Sequence, residues 1–216
     1  VILEGLAAAR PQDAVVSEES AAQDGRSGVR WLVDPLDGTV NYLYAIPHFA
    51  VSIAAAIDGE PACGVVYDVE RDELYRATAG AGAYLGSRRL TCSSASDPAL
   101  ALVGTGFSYD RTMRAAQATV LTSVLPQVRD IRRAGSAALD LCAVAAGRLD
   151  AFYEAGMYPW DWAAGGLVVT ESGGRIGGLE GKAAGRHTTL ASNPVLFDRM
   201  HDLLVSSRAD DASPVG

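Results

Sequence analysis

The pattern of apolar and polar positions changes rhythm once along the chain. Residues 1–10 carry apolar side chains at helical spacing. Arg10-Pro11 stops that run, because proline has no amide hydrogen to continue a helix. Residues 14–17 read as a short strand leading into Glu18-Glu19, and 21–28 read as loop. Trp31-Leu32-Val33 is a buried strand that runs into Asp34-Pro35. Two longer apolar runs, 49–57 and 62–69, flank Asp58-Gly59, a dipeptide suited to the positive φ angles of a tight hairpin turn. Segments 73–78 and 83–85 extend a mostly antiparallel sheet. Gly80-Ala-Gly82 falls between these two strands, so it reads as a turn and not as a dinucleotide fingerprint.

Beyond 93–98 strands alternate with helices. Strands are predicted over 100–104, 128–131, 151–154 and 188–191, and helices over 111–125, 136–146, 162–172 and 195–206. Pro126 closes the first of these helices and Gly173-Gly174 the third. The fold class is therefore α/β: an α+β half over 1–95 and an α/β half over 96–216. The polar tail 208–216 reads as frayed.

Composition narrows the function. The chain has 216 residues, 49% of them hydrophobic, enough for a sizeable core. Its 26 acidic and 18 basic residues give a net charge of -8, and no basic stripe interrupts the acidic balance, so no direct nucleic-acid partner is expected. No apolar run is long enough to span a membrane. Cys63, Cys92 and Cys142 show no metal-ligand spacing, and His48, His187 and His201 are scattered. A reduced, cytoplasmic protein without zinc is the expectation.

The densest chemistry lies in Asp34-Pro35-Leu36-Asp37-Gly38-Thr39. A strand ends in two carboxylates three apart, and proline stiffens the bend between them, so both acids and the Leu36 carbonyl can face one point. Gly38 permits close approach of the backbone to a ligand, and Gly38 and Thr39 open a short helix whose free amides suit a phosphate. Oxygen ligands without His or Cys favour Mg²⁺ or Mn²⁺. An Asp-rich turn capping a helix has the same composition. Glu18-Glu19 also fits a solvated loop, and Asp161, opening an apolar helix, also fits a plain cap. Taken together, four carboxylates from three distant segments suggest one centre holding two or more metals.

Two long segments carry a resemblance. Residues 31–42, from Trp31-Leu-Val-Asp34 to Asn41-Tyr42, resemble the first signature of the inositol monophosphatase family. Residues 160–174, from Trp160-Asp161 to Gly173-Gly174, resemble the second, and Ser17-Glu18-Glu19-Ser20 resembles the family's Gly-Glu-Glu segment. The resemblance implies an alternating, layered α-β-α-β-α sandwich of the sugar-phosphatase type. It also implies Mg²⁺-dependent, lithium-sensitive hydrolysis of a phosphate monoester by metal-activated water, in a homodimer, with two or three metals per site. Glu18, Asp34 and the Leu36 carbonyl would hold the first metal, and Asp34, Asp37 and Asp161 the second. Thr39, Glu19 and Asp37 form the implied catalytic set: Thr39 orients the water, and Glu19 reaches a further metal through water. Gly38 and Thr39 would bind the phosphate, while Gly135, Ser136, Ala137, Glu154 and Asp161 would meet the substrate. A phosphorylated polyol is implied, inositol 1-phosphate foremost, with histidinol phosphate and fructose 1,6-bisphosphate as alternatives. A protein-binding role in a transcription complex is a further alternative. The family's Thr-x-x-Asp element, whose Asp helps activate water, has no match here. It would stand ahead of Val1, and a missing or mobile amino-terminal segment is the expectation.

Overall fold

A computed structural model describes residues 1–214. The chain opens with α1 (Ile2–Ala9), which buries none of its residues. Strands β1 (Ala14–Ser17), β2 (Ser20–Gln23) and β3 (Val29–Asp37) follow, then the short helix α2 (Thr39–Leu43). Strands β4 (Ala50–Ile57), β5 (Glu60–Asp68), β6 (Glu73–Thr78), β7 (Gly82–Leu85) and β8 (Arg88–Arg89) complete an eight-stranded sheet in the order β2-β1-β3-β4-β5-β6-β7-β8. Only the β1–β3 pair in it is parallel. Asp58 and Gly59 both take positive φ, as the hairpin between β4 and β5 requires.

The second half contributes β9 (Leu102–Thr105), α3 (Arg111–Val124), β10 (Asp130–Arg132), α4 (Ala137–Ala145), β11 (Ala151–Ala155), α5 (Pro159–Glu171), β12 (Arg175–Gly178), β13 (Thr188–Ser192) and α6 (Pro194–Ser206). Its five-stranded mixed sheet runs β10-β9-β11-β13-β12. Helices α4 and α5 lie between the two sheets, and one core joins Leu32, Ala54 and Val66 of the first sheet to Leu141, Val168 and Phe152. A second core joins α3 and α6 to the other face of the smaller sheet. The result is a layered mixed α/β fold.

Several expectations shift. Residues 21–28 are not all loop, because β2 pairs with β1 across the two-residue turn Glu18-Glu19. All four β2 residues are exposed, so no apolar alternation marked the strand. Helix α5 starts at Pro159, three residues earlier than predicted, since proline suits the first helical position. The glycine-rich β12 was not predicted. The tail is not frayed over its described part. A turn of 3₁₀ helix, Ala209–Ala212, buries Ala209 and Ala212, and Asp210 pairs with Lys182 at 2.7 Å. Residues 215–216 lie outside the described residues.

Cys63, Cys92 and Cys142 are free thiols. Among the described residues no helix is long and apolar enough to cross a membrane.

Candidate active site

The site begins with an irregularity in β3. Asp34 lies opposite Ser52 of β4, while Asp37 lies opposite Ala50. Three steps on one strand therefore match two on its partner, a bulge of one residue at Pro35-Leu36. Side chains three apart on a regular strand point to opposite faces. The extra residue cancels that alternation, and Asp34, Leu36 and Asp37 all line one cleft.

Local bonds fix the carboxylates. The Leu36 amide donates to Asp34 Oδ1 at 2.9 Å, and Thr39 Oγ1 donates to the Leu36 carbonyl at 3.0 Å. Gly38 turns the chain into α2 at φ 94°, where a Cβ would sit 3.0 Å from the His48 carbonyl oxygen. Asn41 then ties the halves together: its Nδ2 donates to His48 O at 2.7 Å and to Ala134 O at 2.8 Å. Asp37 Oδ2 accepts from the Ser136 hydroxyl and, at 2.8 Å, from the Ala138 amide at the start of α4. Asp161, third residue of α5, accepts from the Tyr158 amide at 2.7 Å. The Ser52 hydroxyl, beside Asp34 in the sheet, donates to the Trp160 carbonyl at 3.2 Å and so holds the start of α5 on the sheet.

The remaining predicted residues divide. Glu18, at the tip of the β1–β2 turn, lines the cleft, as do Gly38, Thr39, Gly135, Ser136, Ala137, Glu154 and Asp161. Glu19, exposed at the same tip, does not. Ser136 is buried, caps α4 and commits its hydroxyl to Asp37. Glu154, next to last in β11, lies so close to Gly106 that a Cβ on that glycine would lie 2.0 Å from Glu154 Oε2. Asp140, Tyr158 and Arg186 also face the cleft and were missed. Arg133 faces it too, although the sequence marks it, with Arg129 and Arg132, as a small basic cluster best read as surface. Asp140 had a signal: it is a carboxylate set between Leu139 and Leu141 in an apolar helix. Arg186 had none.

The cleft holds about 370 Å³. Its electrostatics are those of too many acids. Burial, then Asp37, raises the Asp34 carboxyl well above the usual carboxylate range. Asp37 is also raised by burial, against the pull of Ser136. Burial pushes Asp161 up to about 7 and Glu154 up to about 8, in each case with Asp37 adding to the rise. Among the described residues no three Asp, Glu, His or Cys side chains close into a ligand cage. The acids line an open wall instead. At Asp34 and Asp161 one oxygen is anchored by a backbone amide, and no donor among the described residues bonds the other. Oxygen donors alone, mutually repelling and half-anchored, are the chemistry a hard divalent cation takes, and Glu18, Asp34, the Leu36 carbonyl, Asp37 and Asp161 are the groups that could hold one.

Residues 1–211 match the profile of the Inositol monophosphatase family. The chain belongs to that family. It is 47% identical to the Inositol-1-monophosphatase of Mycobacterium bovis over 79% of this chain and 62% of that protein. It is 43% identical to the Nus factor SuhB of Escherichia coli strain K12 over 99% of this chain and 80% of that one. The solved inositol monophosphatase of Anabaena superposes with a TM-score of 0.89 at 36% identity, covering 95% of this chain and 83% of that chain. Membership in the inositol monophosphatase family implies phosphatase chemistry, and such enzymes are generally metal-dependent.

Proposed function

We propose that this protein hydrolyses the phosphate monoester of a polyol, inositol 1-phosphate foremost, with Mg²⁺ held by Glu18, Asp34, Leu36, Asp37 and Asp161. The observation that carries the reading is the bulge that turns Asp34 and Asp37 into one acidic cleft facing Asp161. Bound Mg²⁺ supplies charge neutralisation for the phosphate dianion and makes water a better nucleophile. The chain's own groups supply position. Thr39, fixed on the Leu36 carbonyl, orients the attacking water, and Gly38 and Thr39 cradle the phosphate at the start of α2. A water oxygen bonds to phosphorus, the ester bond breaks, and the alcohol oxygen leaves with a proton. Glu154, with Gly135 and Ala137, meets the hydroxyls of the leaving polyol. Ser136 acts through Asp37, which it holds in place. Glu19 has its effect from outside the cleft, through water.

The test is a phosphate-release panel of inositol 1-phosphate, histidinol phosphate and fructose 1,6-bisphosphate, with Mg²⁺ and with added Li⁺. Release fastest from inositol 1-phosphate, and inhibited by Li⁺, is expected. No Mg²⁺-dependent release from any member defeats the reading.

Two partner readings accompany it. Val40, Tyr42, Leu43, Tyr44 and Ile46 leave an exposed apolar patch on and after α2, which favours a second copy of this chain as its cover. A solution mass of one 22.5 kDa chain removes the homodimer. The likeness to a Nus factor favours a regulatory role in a transcription complex. Affinity capture that retains no RNA polymerase or elongation factor counts against it.

A further inference from the structure

Arg186 differs from the other cations at the cleft in how it is held. It lies between β12 and β13, half-buried, and lines the cleft. Its Nη1 donates to the Gly156 carbonyl at 2.5 Å. Its guanidinium carbon stands 4.1 Å from the centroid of the Tyr158 ring. Tyr158 in turn stacks on Trp160, with ring centroids 4.8 Å apart and planes 8° from parallel. A carbonyl and a two-ring shelf thus fix the guanidinium, and neither neutralises it. None of the ion pairs among the described residues includes Arg186.

A guanidinium offers five N–H donors, and the Gly156 carbonyl takes one. The rest form a planar, permanently charged fork suited to phosphate or carboxylate. Arg133, the other guanidinium in the cleft, also forms no ion pair among the described residues, but no carbonyl and no aromatic ring there holds it in place. The acid whose charge Arg186 meets is Asp161, which the reading above gives to Mg²⁺. With that acid engaged, Arg186 is a cation already fixed in position for the substrate.

We propose that Arg186 recognises a second anionic group, phosphate or carboxylate, on the leaving group of the substrate. The inference rests on the phosphomonoesterase reading and widens its substrate class beyond inositol 1-phosphate, whose leaving group is uncharged, to polyols that carry a second anion. Matched pairs test it: fructose 1,6-bisphosphate against fructose 1-phosphate, and glucuronic acid 1-phosphate against glucose 1-phosphate. The wild type is expected to favour the doubly anionic member of at least one pair in kcat/KM, chiefly through KM. Losing a charge-assisted bond of this kind weakens recognition about ten- to hundredfold. Arg186→Gln therefore removes the preference, and Arg186→Lys restores part of it. The pair that shows the effect tells phosphate from carboxylate. A wild type without preference in either pair overturns the inference, as does an Arg186→Gln variant that slows both members of each pair equally. Release from none of the four substrates defeats the phosphatase reading instead. Calorimetric binding of fructose 6-phosphate and glucuronate then decides the inference separately. Tighter binding than fructose and glucose, lost in Arg186→Gln, upholds it, and binding indifferent to the substitution overturns it.

Discussion

At the scale of single residues, the cleft depends on carboxylates held at one oxygen and open at the other. Asp161 shows this most clearly, because the Tyr158 amide fixes its Oδ2 without consuming the second oxygen. Asp161→Asn keeps the size and the helix-start contact but removes the charge. Turnover should fall by at least about a hundredfold, as for loss of a preorganised electrostatic group, while the circular dichroism spectrum and Tm stay near wild type. Near-normal turnover in that variant would exclude Asp161 from the machinery. Asp34 and Asp37 were legible in the sequence because their chemistry and spacing are local, and Asp161 through the signature segment it stands in. Asp140 showed only as a carboxylate in an apolar helix, and Arg186 not at all, because its meaning comes from neighbours far along the chain.

At the scale of elements, α5 decides how the halves meet. It presses on the first sheet so closely that a Cβ on Gly64 of β5 would come within 2.9 Å of Ala164 Cα. On its other side, a Cβ on Gly165 would lie 2.8 Å from Leu141 Cβ of α4. Backbone cannot yield as a flexible side chain does, so Gly64→Ala must displace the helix that carries Asp161. The expected cost is about 1–3 kcal/mol, read as a lower midpoint in urea, together with a drop in kcat. Unchanged stability would show that the contact has slack. Most elements were legible from periodicity, the Asp58-Gly59 hairpin and the α4 and α6 helices among them. Strand β2 was not, since a strand exposed on both faces carries no apolar alternation. The 3₁₀ turn at Ala209–Ala212 escaped for a related reason: two small alanines and a paired Asp210 bury little that a hydropathy pattern can register.

At the scale of the molecule, the two sheets are joined by polar clamps as well as by the shared core. Arg148, just after α4, makes a two-pronged bond to Glu73 of β6, with both contacts at 2.8 Å. Arg148, followed by the Tyr75 hydroxyl, holds the Glu73 carboxyl down at about 2. Its folded value lies below its unfolded one, so the clamp's contribution is complete above pH ~4.5 and is lost as pH falls toward 2. Both partners are partly exposed, which limits the effect to about 0.5–1 kcal/mol. Glu73→Gln should therefore lower Tm at pH 7 by a few degrees and by progressively less on acidification. A deficit that stays constant down to pH 3 would assign the loss to packing. The net charge of -8 gains a location at this scale too, because Glu18, Asp34, Asp37, Asp140, Glu154 and Asp161 all line one cleft.

The bulge between Asp34 and Asp37 also makes the centre a matter of parity. A strand counts its side chains in twos, and this one depends on a single odd step. Loss of Pro35 leaves the two acids two apart and still on one face, but flattens the bulge that brings Leu36 into the cleft between them. Length, at this one place, is as much a determinant of chemistry as residue type. A length change of one inside the motif would be felt more sharply than most substitutions around it.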